Sequence, residues 1–167
     1  MTTSPHCYDT FVNWYPKEMK NGIKIMHYSQ FFSDLIDQGR LSFKNSVKKK
    51  VTYQDPCYLG RHNNIYEEPR KILRSIPGIE LVEMKRTRAD SLCCGGGGGR
   101  MWADFSEEKA RLGDIRVKEA VEVGAEVLVT ACPFCLTNME DAIKTTGLEN
   151  SLEIKDLAEL MLEAVEK

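Results

Sequence analysis

Residues 125–131, AEVLVTA, form a nearly continuous apolar run that ends directly on Cys132-Pro133. A strand with no polar alternation has no face to offer water. It belongs in a sheet covered on both sides, and such sheets are parallel because helices must carry the chain back across them. Pro133 suits the first turn of a helix, where its missing N–H leaves no bond unmade. The stretch therefore reads as strand, turn, helix.

The same alternation recurs along the chain. GIKIMHYS (22–29) reads as a strand after a turn at Gly22, followed by a helix in YSQFFSDLIDQG. There Tyr28, Phe31, Phe32 and Leu35 share one face and Gly39 stands at the C-cap. KKVTYQDP (49–56) is a strand stopped by Pro56. EEPRKILRSIPG (67–78) is a helix with acids and Pro69 in its first turn, and IELVEM (79–84) is the next strand. SEEKARLGDIRVKEAVEVG (106–124) is expected to be a long helix with Ser106 as N-cap and Gly124 as terminator. A short strand at LEIK precedes a last helix whose Leu157, Leu160, Met161, Ala164 and Val165 make an apolar stripe, read as core packing. The order predicts a single α/β domain with a mainly parallel sheet flanked by helices.

Composition narrows the class. The chain has 167 residues, enough for one core, and a net charge of −2, which argues against a general nucleic-acid binder. The basic run Lys48-Lys49-Lys50 is read as a solvated strand edge. No apolar stretch approaches the roughly 20 residues a membrane helix needs, and MTTSPHCYDT lacks the basic start and apolar core of a signal peptide. A cytoplasmic location is expected. Six cysteines in a reducing compartment are metal or redox candidates rather than disulfides.

Five of the six fall where the predicted strands end. Cys57 follows KKVTYQDP, Cys93 and Cys94 follow IELVEM, and Cys132 follows AEVLVTA with Cys135 one turn later. That edge of an open parallel sheet is where ligands bind. Cys132 is expected at the N-cap and Cys135 in the first helical turn, where free N–H groups and the helix dipole favour thiolate. A structural zinc takes four ligands, and adjacent side chains such as Cys93 and Cys94 diverge, so five thiols strain a single ion. A cluster of several irons removes the conflict, because neighbours can bind different irons. An iron–sulfur cluster, a zinc ion and a metal-free thiol–disulfide centre remain the three readings, with the thiol count favouring the first. Gly95, Gly96, Gly97, Gly98 and Gly99 then read as backbone that approaches the centre closely and turns its N–H groups on sulfur.

DPCYLGRHN, EEPRKIL, PGIELVEM, CCGGGGGRMW and TACPFCLTNMEDA resemble the cysteine-rich CCG domain over about residues 20–145. That domain occurs in heterodisulfide reductase catalytic subunits and in related iron–sulfur oxidoreductases, among them flavoprotein-linked quinone reductases. The resemblance implies Cys57, Cys93, Cys94, Cys132 and Cys135 as ligands of a noncubane [4Fe–4S] cluster, with Zn2+ as the alternative metal. It implies redox partners: iron–sulfur or flavoprotein subunits, a quinone or ferredoxin-like acceptor, or a thiol–disulfide substrate. The site would lie in the cytoplasm or on the cytoplasmic face of a membrane complex. GGRMW points to the flavoprotein-linked branch. The family often has His where this chain has Gln54, which removes a titrating group; His62 and Arg61 are the remaining weak catalytic candidates. Three functions follow: an electron-transfer domain, a disulfide-cleaving domain, and a zinc-bearing interaction module.

TTSPHCYDTF also aligns with TACPFCLTNM, Ser4 standing where Cys132 stands and Cys7 where Cys135 stands. Residues 1–20 are accordingly expected to be the closing piece of a preceding motif, and 21–167 the domain itself. Cys7 is expected not to be a ligand.

Overall fold

In the computed structural model, residues 1–103 and 111–165 are described. Four strands, β1 (Lys49–Gln54), β2 (Ile79–Leu81), β3 (Val127–Thr130) and β4 (Glu153–Asp156), form one parallel sheet in the order β2-β1-β3-β4. The helices are α1 (Pro5–Asp9), α2 (Tyr28–Asp37), α3 (Glu67–Ser75), α4 (Leu112–Glu122), α5 (Pro133–Thr146) and α6 (Leu157–Ala164).

The period of two along the strands sorts the core into two layers. Val51, Tyr53, Val127 and Val129 pack against α2, α3 and α6 through Tyr28, Ile72, Leu73, Leu157 and Leu160. Leu128 and Ile154 face the other way, against Val117 and Ala120 of α4 and Met139 and Ala142 of α5. Both faces of β3 are thus dry, as its unbroken apolar run requires. Each buried Val, Leu, Ile or Met side chain among them contributes about 1.5–3 kcal/mol on leaving water.

Topology locates the site. The chain crosses from β1 to β2 by α3, then back over β1 to β3 by α4. Right-handed crossovers in opposite directions place their helices on opposite faces, and the connections part between β1 and β3. A crevice opens there at the strand C-termini. Gln54 and Thr130 are in register at those ends, so the segments that carry Cys57 and Cys132 leave the sheet at the same edge.

Three expectations need adjustment. Residues 22–29 form no strand: a single parallel bridge joins His27 to Thr2. The partner segment turns into α1 at Pro5, too soon for a ladder to grow. On α2 the buried face runs through Tyr28, Phe32 and Ile36, whereas Phe31 remains exposed. α4 is described from Leu112, and the expected cap Ser106 lies outside the described residues. The terminators behave as expected: Gly39 and Gly124 adopt positive φ just past α2 and α4. The last stripe is buried from Leu157 to Ala164, with Val165 half-buried beyond the helix end.

Candidate metal centre

Three segments deliver five thiols to the crevice. After β1, Pro56 cannot continue the ladder, and its carbonyl accepts from Leu59 and Gly60 N–H at 3.1 and 2.9 Å, closing a turn that presents Cys57. Cys132 is the N-cap of α5 in extended conformation (φ −154°), Pro133 takes the first helical position, and Cys135 falls in the first turn. Cys93 and Cys94 lie in the long connection between β2 and α4.

The thiols touch in a row. Cys57 contacts Cys93, Cys93 contacts Cys94, Cys94 contacts Cys135, and Cys135 contacts Cys132. Cys94, Cys132 and Cys135 are buried; Cys57 and Cys93 are half-buried. Cys7, exposed, is not in the row. Among the described residues, no group of three or more His, Cys, Asp or Glu side chains is arranged to hold a single metal ion.

Backbone dipoles point at the sulfurs. Gly95 N–H donates to Cys93 Sγ at 3.4 Å and Gly96 N–H to Cys94 Sγ at 3.3 Å. The contact with Cys57, then that with Cys94, and further the Gly95 N–H and the Arg61 charge, hold the Cys93 thiol far below its ordinary range. Cys132 is lowered to about 5, by Cys135 first and then, against the cost of burial, by His6 and the N–H groups of Cys135 and Phe134. Cys57 is raised by its contact with Cys93 and by burial, and Cys135 by its contacts with Cys132 and Cys94. Cys94 sits at about 12, where the pull of Cys135 is outweighed by Cys93 and burial. The thiols thus shift one another in opposite directions, Cys93 and Cys132 downward and Cys57, Cys94 and Cys135 upward. Ionising the last three requires positive charge, which iron or zinc would bring. Soft thiolates without carboxylate fit an iron–sulfur centre.

The five glycines divide. An added Cβ at Gly96 would lie 2.8 Å from Asn138 Cβ and 3.0 Å from the Phe134 carbonyl. At Gly95 φ is +83° and Leu112 Cβ stands 3.1 Å from the Cβ position. Gly98 and Gly99 also have positive φ, and among the described residues nothing stands within 4 Å of their Cβ positions. Gly95, Gly97 and Gly98 line a cleft of about 540 Å³ together with Cys57, Cys93 and Arg100.

Polar residues that no motif announces brace the cysteine loops. Arg70 is fully buried and grips Asp55, two residues before Cys57, and Glu83 and Thr87 in the chain leading to Cys93. Asp55 also accepts Arg88 N–H at 2.8 Å, holding Arg88 at φ +55°. Buried Arg116 donates to Gln54, to Ser91 and to the Arg86 carbonyl. Gln54 in turn donates to the Leu92 carbonyl at 3.1 Å, next to Cys93. Where a titrating His was the alternative, Gln54 is therefore a buried strut. Arg61 clamps the same loop, donating to the Ser91 carbonyl at 2.5 Å. His62 is exposed and stacks on Tyr58, ring centroids 4.3 Å apart, rather than entering the row.

His6 is the residue near the row that sequence reasoning missed. Both imidazole nitrogens are buried and, among the described residues, neither meets a hydrogen-bond partner; an unsatisfied buried group costs about 1–3 kcal/mol. One signal was present: His6 lies between Ser4 and Cys7, in the segment that mirrors Cys132-Pro133-Phe134-Cys135.

Fold and site together define an α/β domain with a thiol-rich centre at the C-terminal edge of a parallel sheet. The cysteine-rich domain CCG matches residues 51–140, more than half of the chain. The chain belongs to the CCG cysteine-rich domain family. It is similar to the probable iron-sulfur-binding oxidoreductase FadF of Bacillus subtilis, at 37% identity over 99% of this chain and 23% of that protein. The EtfAB:quinone oxidoreductase of Syntrophomonas wolfei is 36% identical over 97% of this chain and 23% of its own. A dihydromethanophenazine:CoB–CoM heterodisulfide reductase polypeptide of Methanosarcina barkeri is 38% identical over 85% of this chain and 34% of its own. The chain thus spans about a quarter to a third of the length of these relatives. No helix among the described residues is long and apolar enough to cross a membrane.

Proposed function

We propose that this chain is an electron-transfer domain in which Cys57, Cys93, Cys94, Cys132 and Cys135 hold a noncubane [4Fe–4S] cluster. The observation that carries the reading is the row of five thiols, each beside the next, drawn from three segments at one sheet edge. A bound cluster supplies a one-electron store. The protein supplies the thiolates, N–H groups from Gly95 and Gly96 directed at sulfur, and buried braces that keep the loops from moving as charge changes. The half-buried end of the row, Cys57 and Cys93, faces the cleft and is the side from which a redox partner would approach. Relatives named for EtfAB:quinone and heterodisulfide chemistry support flavoprotein or iron–sulfur partners and a quinone or thiol acceptor.

A second reading, a disulfide-cleaving domain, has the cleft in its favour. About 540 Å³ beside Cys57 and Cys93 leaves room for a small thiol or disulfide.

Anaerobic reconstitution followed by iron, zinc and acid-labile sulfide analysis tests the reading. About four irons per chain with matching sulfide are expected for such a cluster. One zinc and no sulfide would overturn it. A paramagnetic signal that broadens with isotope-labelled thiol sulfur would select disulfide chemistry over simple electron relay.

A further inference from the structure

The imidazole of His6 touches all three segments that carry the thiol row. Its ring stands 4.3 Å, centroid to centroid, from Tyr58, the neighbour of Cys57. It meets Phe134, between Cys132 and Cys135, edge-on at 5.0 Å. An added Cβ at Gly97, three residues after Cys94, would lie 3.4 Å from His6 Nε2. Its nitrogens are shut off from water, and among the described residues neither meets a hydrogen-bond partner. Phe134, which the ring meets edge-on, stands between Cys132 and Cys135, and the ring bears electrostatically on the Cys132 thiol, which places it at that end of the row. A neutral imidazole always carries one N–H and one lone pair. A ring placed at the meeting point of three ligand segments, with no partner among the described residues, is aimed at what those segments hold.

We propose that His6 is a positioning residue for the centre, donating an imidazole N–H to sulfur at its Cys132 end and so stabilising the more reduced, more negative state. The inference rests on the iron–sulfur reading above. Tyr58 and Phe134 fix the ring plane, and the absence of a side chain at Gly97 leaves Nε2 unobstructed. A hydrogen bond to cluster or ligand sulfur withdraws negative charge and raises the reduction potential.

The test compares the reconstituted wild-type chain with His6→Phe, which keeps an aromatic ring between Tyr58 and Phe134 but has no nitrogen, and with His6→Gln, which restores an N–H. Pulsed EPR on protein labelled with nitrogen-15 histidine is expected to show a nitrogen coupling that His6→Phe loses at unchanged iron content. The midpoint potential is expected to fall in His6→Phe and to recover in part in His6→Gln. A coupling and a potential unchanged in His6→Phe would overturn the role of His6 while leaving the cluster reading intact. A wild-type chain that assembles no iron would overturn both.

Discussion

Arg70 and Asp55 form a buried bidentate pair, Nη1 2.6 Å from Oδ1 and Nη2 2.8 Å from Oδ2, two residues before Cys57. The guanidinium also holds Glu83, at 2.6 Å from Nε, so one cation from α3 ties the end of β1 to the chain that carries Cys93 and Cys94. With Arg70 fully buried and Asp55 nearly so, the pair is insulated from solvent screening. Removing one partner strands the other. Arg70→Ala is expected to cost about 3–5 kcal/mol in denaturant unfolding, the range for breaking a buried pair. A loss under about 1 kcal/mol, the ceiling for an exposed pair, would show that burial adds nothing to this network.

Gly96 and Gly98 lie close together in the glycine run and should respond differently. A Cβ at Gly96 must displace Asn138 and the Phe134 carbonyl, backbone that also positions Cys135. Gly96→Ala is expected to destabilise by about 1–3 kcal/mol, as overpacking does, and to reduce iron retention. Gly98 meets nothing within 4 Å among the described residues and needs only positive φ, the strain Asn tolerates best, so Gly98→Asn should cost less than Gly96→Ala, about 1 kcal/mol or under. Thermal unfolding of the two variants side by side decides; equal losses would refute the distinction.

His27 makes stability depend on pH. The ring is fully buried, Nδ1 accepts from Ser29 and Nε2 faces the Thr3 carbonyl at 3.3 Å, and burial lowers its pKa from 6.5 to about 4. The unfolded chain takes up a proton near pH 6.5 that the folded chain refuses until about pH 4. Unfolding free energy therefore falls as pH drops through that window, by up to about 3 kcal/mol at 1.36 kcal/mol per unit. His27→Asn keeps an N-cap acceptor for α2 and removes the titration. Its unfolding free energy should lose less than that of wild type between pH 7 and pH 4, and an identical slope would refute the assignment.

Cys93→Ser and Cys94→Ser separate a shared cluster from a single ion. If the adjacent thiols bind different irons, either change should abolish normal assembly, read as loss of about half or more of the iron and an altered EPR spectrum. Full iron and an unchanged spectrum in either variant would remove that residue from the ligand set. Cys7→Ser, exposed and outside the row, should leave metal content unchanged.

Periodicity and punctuation made most of the architecture legible in advance. The unbroken apolar run into Cys132 and the proline stops at Pro56 and Pro133 act locally, within a few residues of where they stand, as do the glycine terminators at Gly39 and Gly124. The sheet and the cysteines beyond its strand ends could therefore be read in order. GIKIMHYS misled because a strand needs a neighbour, and its neighbour at Thr2 turns away at Pro5.

What the sequence determined by itself was the alternation of elements and the delivery of five thiols to one edge, since both follow from residue type and near-neighbour spacing. Only the tertiary structure decided that Arg70, Arg116 and Gln54 stand buried as braces, and that His6 meets segments more than fifty, ninety and one hundred and twenty positions away. Such relations depend on which helix packs on which face and on the reversal of strand order between β1 and β3. No local pattern encodes a contact that exists only once the sheet has closed.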